Sequence, residues 1–563
     1  MAEYLSPGVY VEEYDSSERG IEGVGTSTAG FVGLAEKGPT IGAPSLVTSF
    51  ADFTRQFGGY LSEFTYGEYR FLASSVEQFF ANGGTRCYIA RVIPEDAKKA
   101  LKKVGNLLFE ARNEGKWGNQ IQISFRTIKK KKIQLLKKIG EKTYQAKSLS
   151  GVQEGDIVVA KEEYNQVASI YDNEVIFEKE FASEVIDNQL IPEMVLYLVE
   201  TEMAARWNDI VETYENVSFY PSSINYINTI IKASELVKVE AEPLAAILNP
   251  VELVLGEGIT EGDFVLEGGS DGSAAKIKSG DFMGIDNGPG KRTGIESFLE
   301  NHVVSIMAVP GITIPEVVVS LVNHCERMKN RFAVIDMPVD MVSTKDLIEY
   351  RSMIDSTYAA MYHPWIQQYD RSINRLGYIP PSGAVTGVYS RTDVNRGVHK
   401  APANESILCT GLKINYGKGE QDILNVEGVN LIRNIPGSGI RIWGARTASS
   451  NAAFKYVNVR RLFIYVEESI RANTNWVVFE PNNITLWNRV SITISSFLES
   501  LWRNGMLAGS SPSESYFVEV GNNTMTKEDI ANGRLICNIG IAPVKPAEFV
   551  IFRMTQYTTE AAQ

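Results

Sequence analysis

The sequence predicts a multidomain α/β fold with α+β character: mixed sheets covered by helices, a β-rich inserted domain, and an extended arm at each end. Three observations lead there. Apolar runs of strand length alternate with helix-period stripes on both sides of the chain's middle. That middle, residues 126–260, is charged and made of short strand-like pieces. Each end carries one strand-like piece with no partner beside it, and a single strand is not stable by itself. At 563 residues the chain also exceeds one comfortable core, so about two to four domains are expected.

Residues 1–28 are the first arm. In PGVYVEEY, Val9 and Val11 fall on one face of a strand, and Tyr10, Glu12 and Tyr14 on the other. Residues 29–125 and 261–345 are expected to form one α/β middle domain. GFVGLA reads as a strand, Tyr69 to Phe80 as a helix, and TRCYIARV as a strand after the Gly83–Gly84 turn. VVSIMAVPG reads as another strand, and Val318, Leu321, Val322, Cys325 and Met328 share a helix face. RFAVIDMP is a buried strand closed by Pro338.

Residues 126–260 read as a separate, surface-lying β-rich domain. Its lysine block, KKKIQLLKKIGEKTYQAK, suits a solvated face better than a nucleic-acid patch. In residues 346–542, Leu486, Val490, Ile494, Phe497, Leu498 and Leu501 form one helical stripe ending near Gly505. A further helix is expected to start at Ser449 or Ser450 as N-cap and to carry Phe454, Val457, Leu462, Tyr465 and Val466 inward. Residues 543–563 are the second arm, in which Phe549, Val550, Ile551 and Phe552 are apolar on both faces of a strand. Such a strand has to dock into something.

The formal charge of -13 argues against bulk wrapping of DNA or RNA, which needs a positive surface. The four cysteines have neither metal-ligand nor redox spacing. The N-terminus is acidic where a signal peptide is basic, and no apolar run reaches the roughly 18 residues of a membrane span. A soluble, cytoplasmic protomer without membrane insertion is expected.

The chemistry-bearing motifs are few. His302, His324, His363 and His399 are not paired at ligand spacing, so no metal is expected. The glycine turns at 20–25 and 266–272 lack the lysine of a nucleotide loop, and no Gly-x-Ser-x-Gly elbow occurs. Neither a catalytic residue nor a cofactor is predicted. What remains is a basic strip, GIRIWGARTASS and its approach, with Arg433, Arg441 and Arg446 around Trp443 and no acid among residues 429–447. Arginine forks suit carboxylates as well as phosphates. Intramolecular pairing and a contact between subunits are both open readings here, with nucleic acid the weakest.

Several long stretches carry a family resemblance: YHPWI, YIPPSGAVTGVYSRTDVNRGVHKAPAN, LNVEGVNLIRNIPGSGIRIWGART, YVNVRRLFIYVEESI, FEPNNITLW and IGIAPVKPAEFVIF. PGVYVEE, EGKWGNQ, LEGGSDG and GPGKRTGI are weaker landmarks. With these the chain resembles the contractile tail sheath proteins of phages, tailocins and related injection systems, over roughly residues 1–125 and 261–557. The resemblance implies a structural subunit and not an enzyme. It implies a homo-oligomer of six-membered rings stacked around an inner tail tube protein, with baseplate and tail terminator proteins as further partners and no direct nucleic-acid contact. The place would be the tail sheath of a virion or particle assembled in the bacterial host cytoplasm.

The resemblance also implies that residues 346–542 lie on the inner side, and that both arms, through Val9, Tyr10, Val11, Glu12 and Phe549 to Phe552, add strands to neighbouring copies. Arg433, Arg441, Trp443 and Arg446 are then candidates for sheath–sheath or sheath–tube contact, and the polar stretches 20–28 and 543–547 are expected to bend. A baseplate or other tail structural protein is the alternative, and a soluble α/β enzyme a distant third.

Overall fold

The computed structural model describes residues 20–549 apart from 106, 162, 183–194, 220, 222, 242–250, 252–254, 256–258 and 260, and also residues 551 and 553. Its centre is a nine-stranded sheet. In chain order the strands are β1 (Ala29–Leu34), β2 (Ser45–Val47), β3 (Cys87–Val92), β4 (Ile306–Ala308), β5 (Phe332–Asp336), β6 (Ala359–His363), β7 (Glu405–Ser406), β8 (Val429–Ile435) and β9 (Gly439–Ile442). Across the sheet they run β2-β3-β1-β4-β5-β6-β8-β9-β7. The six from β3 to β8 are parallel, and β2, β9 and β7 each pair antiparallel. Every residue of β1, β4, β5 and β6 is buried, as a parallel sheet covered on both faces requires.

Alternation along the strands divides the apolar side chains between two cores. Val32, Leu34, Met307, Ala333, Ile335 and Met361 face one side. That side is covered by α3 (Pro315–Met328), α4 (Thr344–Arg351) and α6 (Lys418–Val426). Ala29, Phe31, Ile89, Val334, Ala360 and Tyr362 face the other. That side is covered by α1 (Phe50–Phe57), α2 (Leu72–Ala81) and α5 (Ser382–Arg396). The helix stripe at 318–328 is α3, with Val318, Leu321, Val322 and Cys325 buried. Helices α2 and α5 meet backbone to backbone. A Cβ at Gly383 would lie 2.3 Å from the Ser75 carbonyl oxygen, and one at Gly387 2.4 Å from that of Phe79. No side chain fits at either position.

A second unit is β-rich. Its longest strands, Gln122–Lys138 and Val195–Trp207, pair antiparallel with Phe125 opposite Met203 and Ile133 opposite Leu196. They sit within an eight-stranded sheet. The pairing reaches past both sides of 126–260: Glu261–Val265 joins the Gln122–Lys138 strand, and Leu101–Val104 and Leu107–Ala111 pair beside Val237–Ala241. One core holds Phe109, Trp117, Phe125, Met203, Trp207 and Leu266 together, so these flanking strands cannot be separated from it. In the lysine block Ile133 and Leu135 are buried while Lys132 and Lys137 are exposed, which is one solvated sheet face.

Two cations join the units. Arg91, buried in β3, donates to the carbonyl oxygens of Ala35, Glu36, Gly38 and Glu114. Lys37 places its ammonium 3.8 Å from the ring centre of Trp207 and 5.5 Å from that of Trp117.

The last part of the chain packs α7 (Val457–Asn473) and α8 (Ile484–Arg503) together. The six predicted stripe residues of α8 are its six buried residues. The start of α7 differs from expectation. Its N-cap position is Tyr456, and Ser449 and Ser450 instead donate through their hydroxyls to Asp355. Ser449 Oγ also accepts from the Asn451 amide, so the two serines pin the loop before α7 to Asp355 instead of capping that helix.

Candidate assembly surfaces

Both arm roots fasten to the body around α7. On the N-terminal side, Asn473 donates to the Glu22 carbonyl, the Val24 amide donates to Ser469 Oγ, Arg461 donates to the Thr26 carbonyl, and Ser390 donates to that of Ser27. Gly23 lies where a Cβ would overlap the Tyr465 hydroxyl. The stretch 22–28 is therefore laid along the body in this structure, although its sequence is polar and glycine-rich. Small residues let it lie flat on the helix, and the helix supplies the donors that its carbonyls need. Val9, Tyr10, Val11 and Glu12 lie outside the described residues.

On the C-terminal side, Leu507 bridges to Pro543 and Asn458 donates to the Val544 carbonyl. Glu548 then ends the root in an ion pair with Arg446 at 2.7 Å. Residues 543, 544 and 548 are thus tied to the body in this structure. Beyond them Phe549 is 75% and Ile551 78% exposed, and neither is in a strand within this chain. Val550 and Phe552 lie outside the described residues.

Between the roots lies a two-stranded antiparallel sheet, Tyr516–Val520 with Cys537–Ile541. Its inner face, with Tyr516, Val518, Cys537, Ile539 and Ile541, packs on α8. Phe517 on the outer face lies across its partner Gly540 and is 53% exposed. Among the described residues neither strand has a second neighbour, so both outer edges present unpaired backbone.

The basic strip is the β8–β9 hairpin. Arg433 and Arg441 face each other across it. Arg433 donates to the Tyr416 carbonyl, and Arg441 to the carbonyls of Ser438 and Asn404. Trp443 is fixed through its backbone to Leu431 and Gln421 while its indole stays 37% exposed. Arg446 is different: its side chain is 7% exposed and spent on Glu548. The acid missing from residues 429–447 comes from the arm more than a hundred positions later, which no local reading of the strip supplies.

A catalytic reading finds little here. Among the described residues no group of three or more His, Cys, Asp or Glu side chains is placed to hold a metal ion. Burial pulls His324 down to about 3 and His363 down to about 4. Asp336 is pushed up to about 6 by burial, but its carboxylate is taken up by Gly311 and Ser382 beside a void of only about 10 Å³, too small for a substrate.

Residues 288–448 match the family model for the phage tail sheath protein central domain, and residues 449–557 match that for the phage tail sheath C-terminal domain. A putative prophage major tail sheath protein of Pseudomonas aeruginosa (strain UCBPP-PA14) is 24% identical over 286 residues, 48% of this chain and 72% of that protein. The tail sheath protein of Burkholderia phage BcepMu is 24% identical over 308 residues, 51% of this chain and 63% of that protein. In fold the chain is similar to the anti-feeding prophage helical sheath in its contracted state, with TM-score 0.53, 20% identity, and coverage of 98% of this chain and 100% of that one.

Proposed function

We propose that the chain is a member of the phage tail sheath family with that family's structural role, polymerising as stacked six-membered rings around an inner tube and contracting to drive the tube through a cell envelope. The observation that carries the reading is the two-stranded sheet at 516–520 and 537–541 with both edges open. α8 supports one face of the pair, and each open edge is a template for an extended segment. The sequence offers two strand-like segments for these edges, around Val9 to Glu12 and Phe549 to Phe552. Strand addition gives backbone hydrogen bonds, with side-chain pockets for register. Arms from neighbouring copies would complete the sheet and link the subunits into a mesh.

In this reading the tube, baseplate and tail terminator proteins are the other partners, and the particle tail is the place of action. From the sequence-based domain organisation this reading keeps an arm at each end and an outer β-rich insertion, but the nine-stranded sheet draws strands from Ala29 to Ile442, so residues 346–442 go with the α/β middle rather than with a separate inner domain. Arg433, Arg441 and Trp443 remain candidates for contact with a neighbour or the tube. Contraction would exchange smaller interfaces for larger ones, each Å² of apolar surface contributing about 25 cal/mol before entropic and polar costs.

Deletion of residues 1–19 or 549–563 tests the linkage. The expected result by negative-stain microscopy is soluble, folded protomers in place of striated tubes. Tubes of normal length from both deletions would defeat the reading.

A further inference from the structure

The two arm roots are built differently. The N-terminal root is held by four hydrogen bonds spread over Ser390, Arg461, Ser469 and Asn473, so no single side chain controls it. The C-terminal root is held at Pro543 and Val544 by Leu507 and Asn458, and beyond them by one carboxylate. Glu548 Oε1 accepts from Arg446 Nε at 2.8 Å and from Asn425 Nδ2 at 2.7 Å. Its Oε2 accepts from Arg446 Nη2 at 2.7 Å and from the Tyr456 hydroxyl at 3.0 Å, with Lys455 Nζ 3.9 Å away. The fork is bidentate, and all four main acceptor positions of the carboxylate are filled.

The root lies along a groove of about 1020 Å³, walled by Lys400, Asn404, Gln421 and Trp443 as well as by Arg446 and Tyr456 of the fork. Residues 545–549 donate no backbone hydrogen bond among the described residues. Beyond the Asn458–Val544 hydrogen bond, little besides the fork therefore resists a sideways swing of residues 545–549, and the groove provides the space.

We propose that Glu548 is a latch: closed on Arg446, it fixes the direction in which the C-terminal arm leaves the body, and open, it lets residues 545–549 swing across the groove from the anchor that Leu507 and Asn458 make at Pro543 and Val544. The reading that arms link copies gives this a consequence. One arm stays fixed to its body while the other re-aims, so subunits change orientation without separating.

The test is a distance measurement on the full-length protomer. Spin labels are placed at A547C and N488C with Cys409 and Cys537 replaced by serine, and wild type is compared with E548Q and R446Q. The expected result is one narrow distance distribution with Glu548 present, at least doubled in width by either variant, with the double variant no broader than the singles. A wild-type distribution already as broad as the variants overturns the latch, as does E548Q as narrow as wild type. Near-UV circular dichroism shows whether the bodies stay folded. Because this readout needs no polymer, its outcome is separate from that of the arm deletions.

Discussion

Arg461 and Asp393 form an ion pair at 2.5 Å in which each side chain is 3% exposed, joining α7 to α5. The same guanidinium donates to the Thr26 carbonyl and stacks over Tyr389, whose hydroxyl meets that of Tyr362 at 2.6 Å. One cation thus ties the C-terminal helices, the central sheet and the N-terminal root together.

Removing one member of a buried pair strands the other's charge. R461M or D393L alone is expected to cost about 3–5 kcal/mol of stability, and the double R461M/D393L less than the sum. Urea midpoints measure this. A loss below about 1 kcal/mol for both singles, the range of surface pairs, would refute it.

Asp336 makes stability depend on pH. Burial raises its carboxyl to about 6 from the ordinary 3.8, outweighing the donors from Gly311 and Ser382. A raised folded value means its contribution is complete below the unfolded value and lost as pH rises through the folded one. Wild type should therefore lose roughly 3 kcal/mol relative to D336N between pH 4 and 6. Parallel curves for the two proteins across that window would contradict it.

Lys37 works the other way at alkaline pH. Burial between two indoles pulls its ammonium down to about 8 from 10.5, against the attraction of Glu235 and Glu36. A lowered lysine value means the folded state holds the proton less well, so stability from this group grows as pH rises from 8 to 10. K37M is expected to have a denaturation midpoint at pH 7 equal to or above wild type, with its advantage shrinking by pH 10. A midpoint several degrees lower at pH 7 would show that the cation–π contact outweighs the burial cost.

Acid should open the latch. Glu548 sits below its ordinary 4.5; burial raises it, and the hydrogen bonds from Arg446, Asn425 and Tyr456, with the charge of Arg446, overcome that. Lys455 adds a second cation nearby, and Asp422 on α6 lines the same groove. With a depressed folded value, the contribution is complete above 4.5 and lost as pH falls through the folded value. The label distance at A547C should broaden below pH 4.5 and stay narrow in neutral buffer. No change down to pH 3 would count against it.

Local pattern made much of this legible. The helical stripe of α8, the buried strands at 29–34 and 332–336, and the α3 stripe each depend on neighbours three, four or two positions apart, and burial follows that spacing. The α7 start was misread because Ser449 and Ser450 have cap chemistry, while the acceptor that takes them, Asp355, is on another element. The roots at 22–28 and 543–548 looked free for the same reason: their partners, Ser469, Asn473, Asn458 and Arg446, are distant in sequence.

The sequence by itself determined the classes of element, the family resemblance through its long C-terminal motifs, and the presence of apolar end segments needing a partner. Tertiary structure alone decided that Arg446 is spent on Glu548 within the chain while Trp443 keeps an exposed indole, and that strands from 101 to 265 share one β-rich unit. The reason is physical. Periodicity records which face of an element is apolar, whereas the partner of a buried charge or an open strand edge is set by which distant segments the fold brings within about 3 Å.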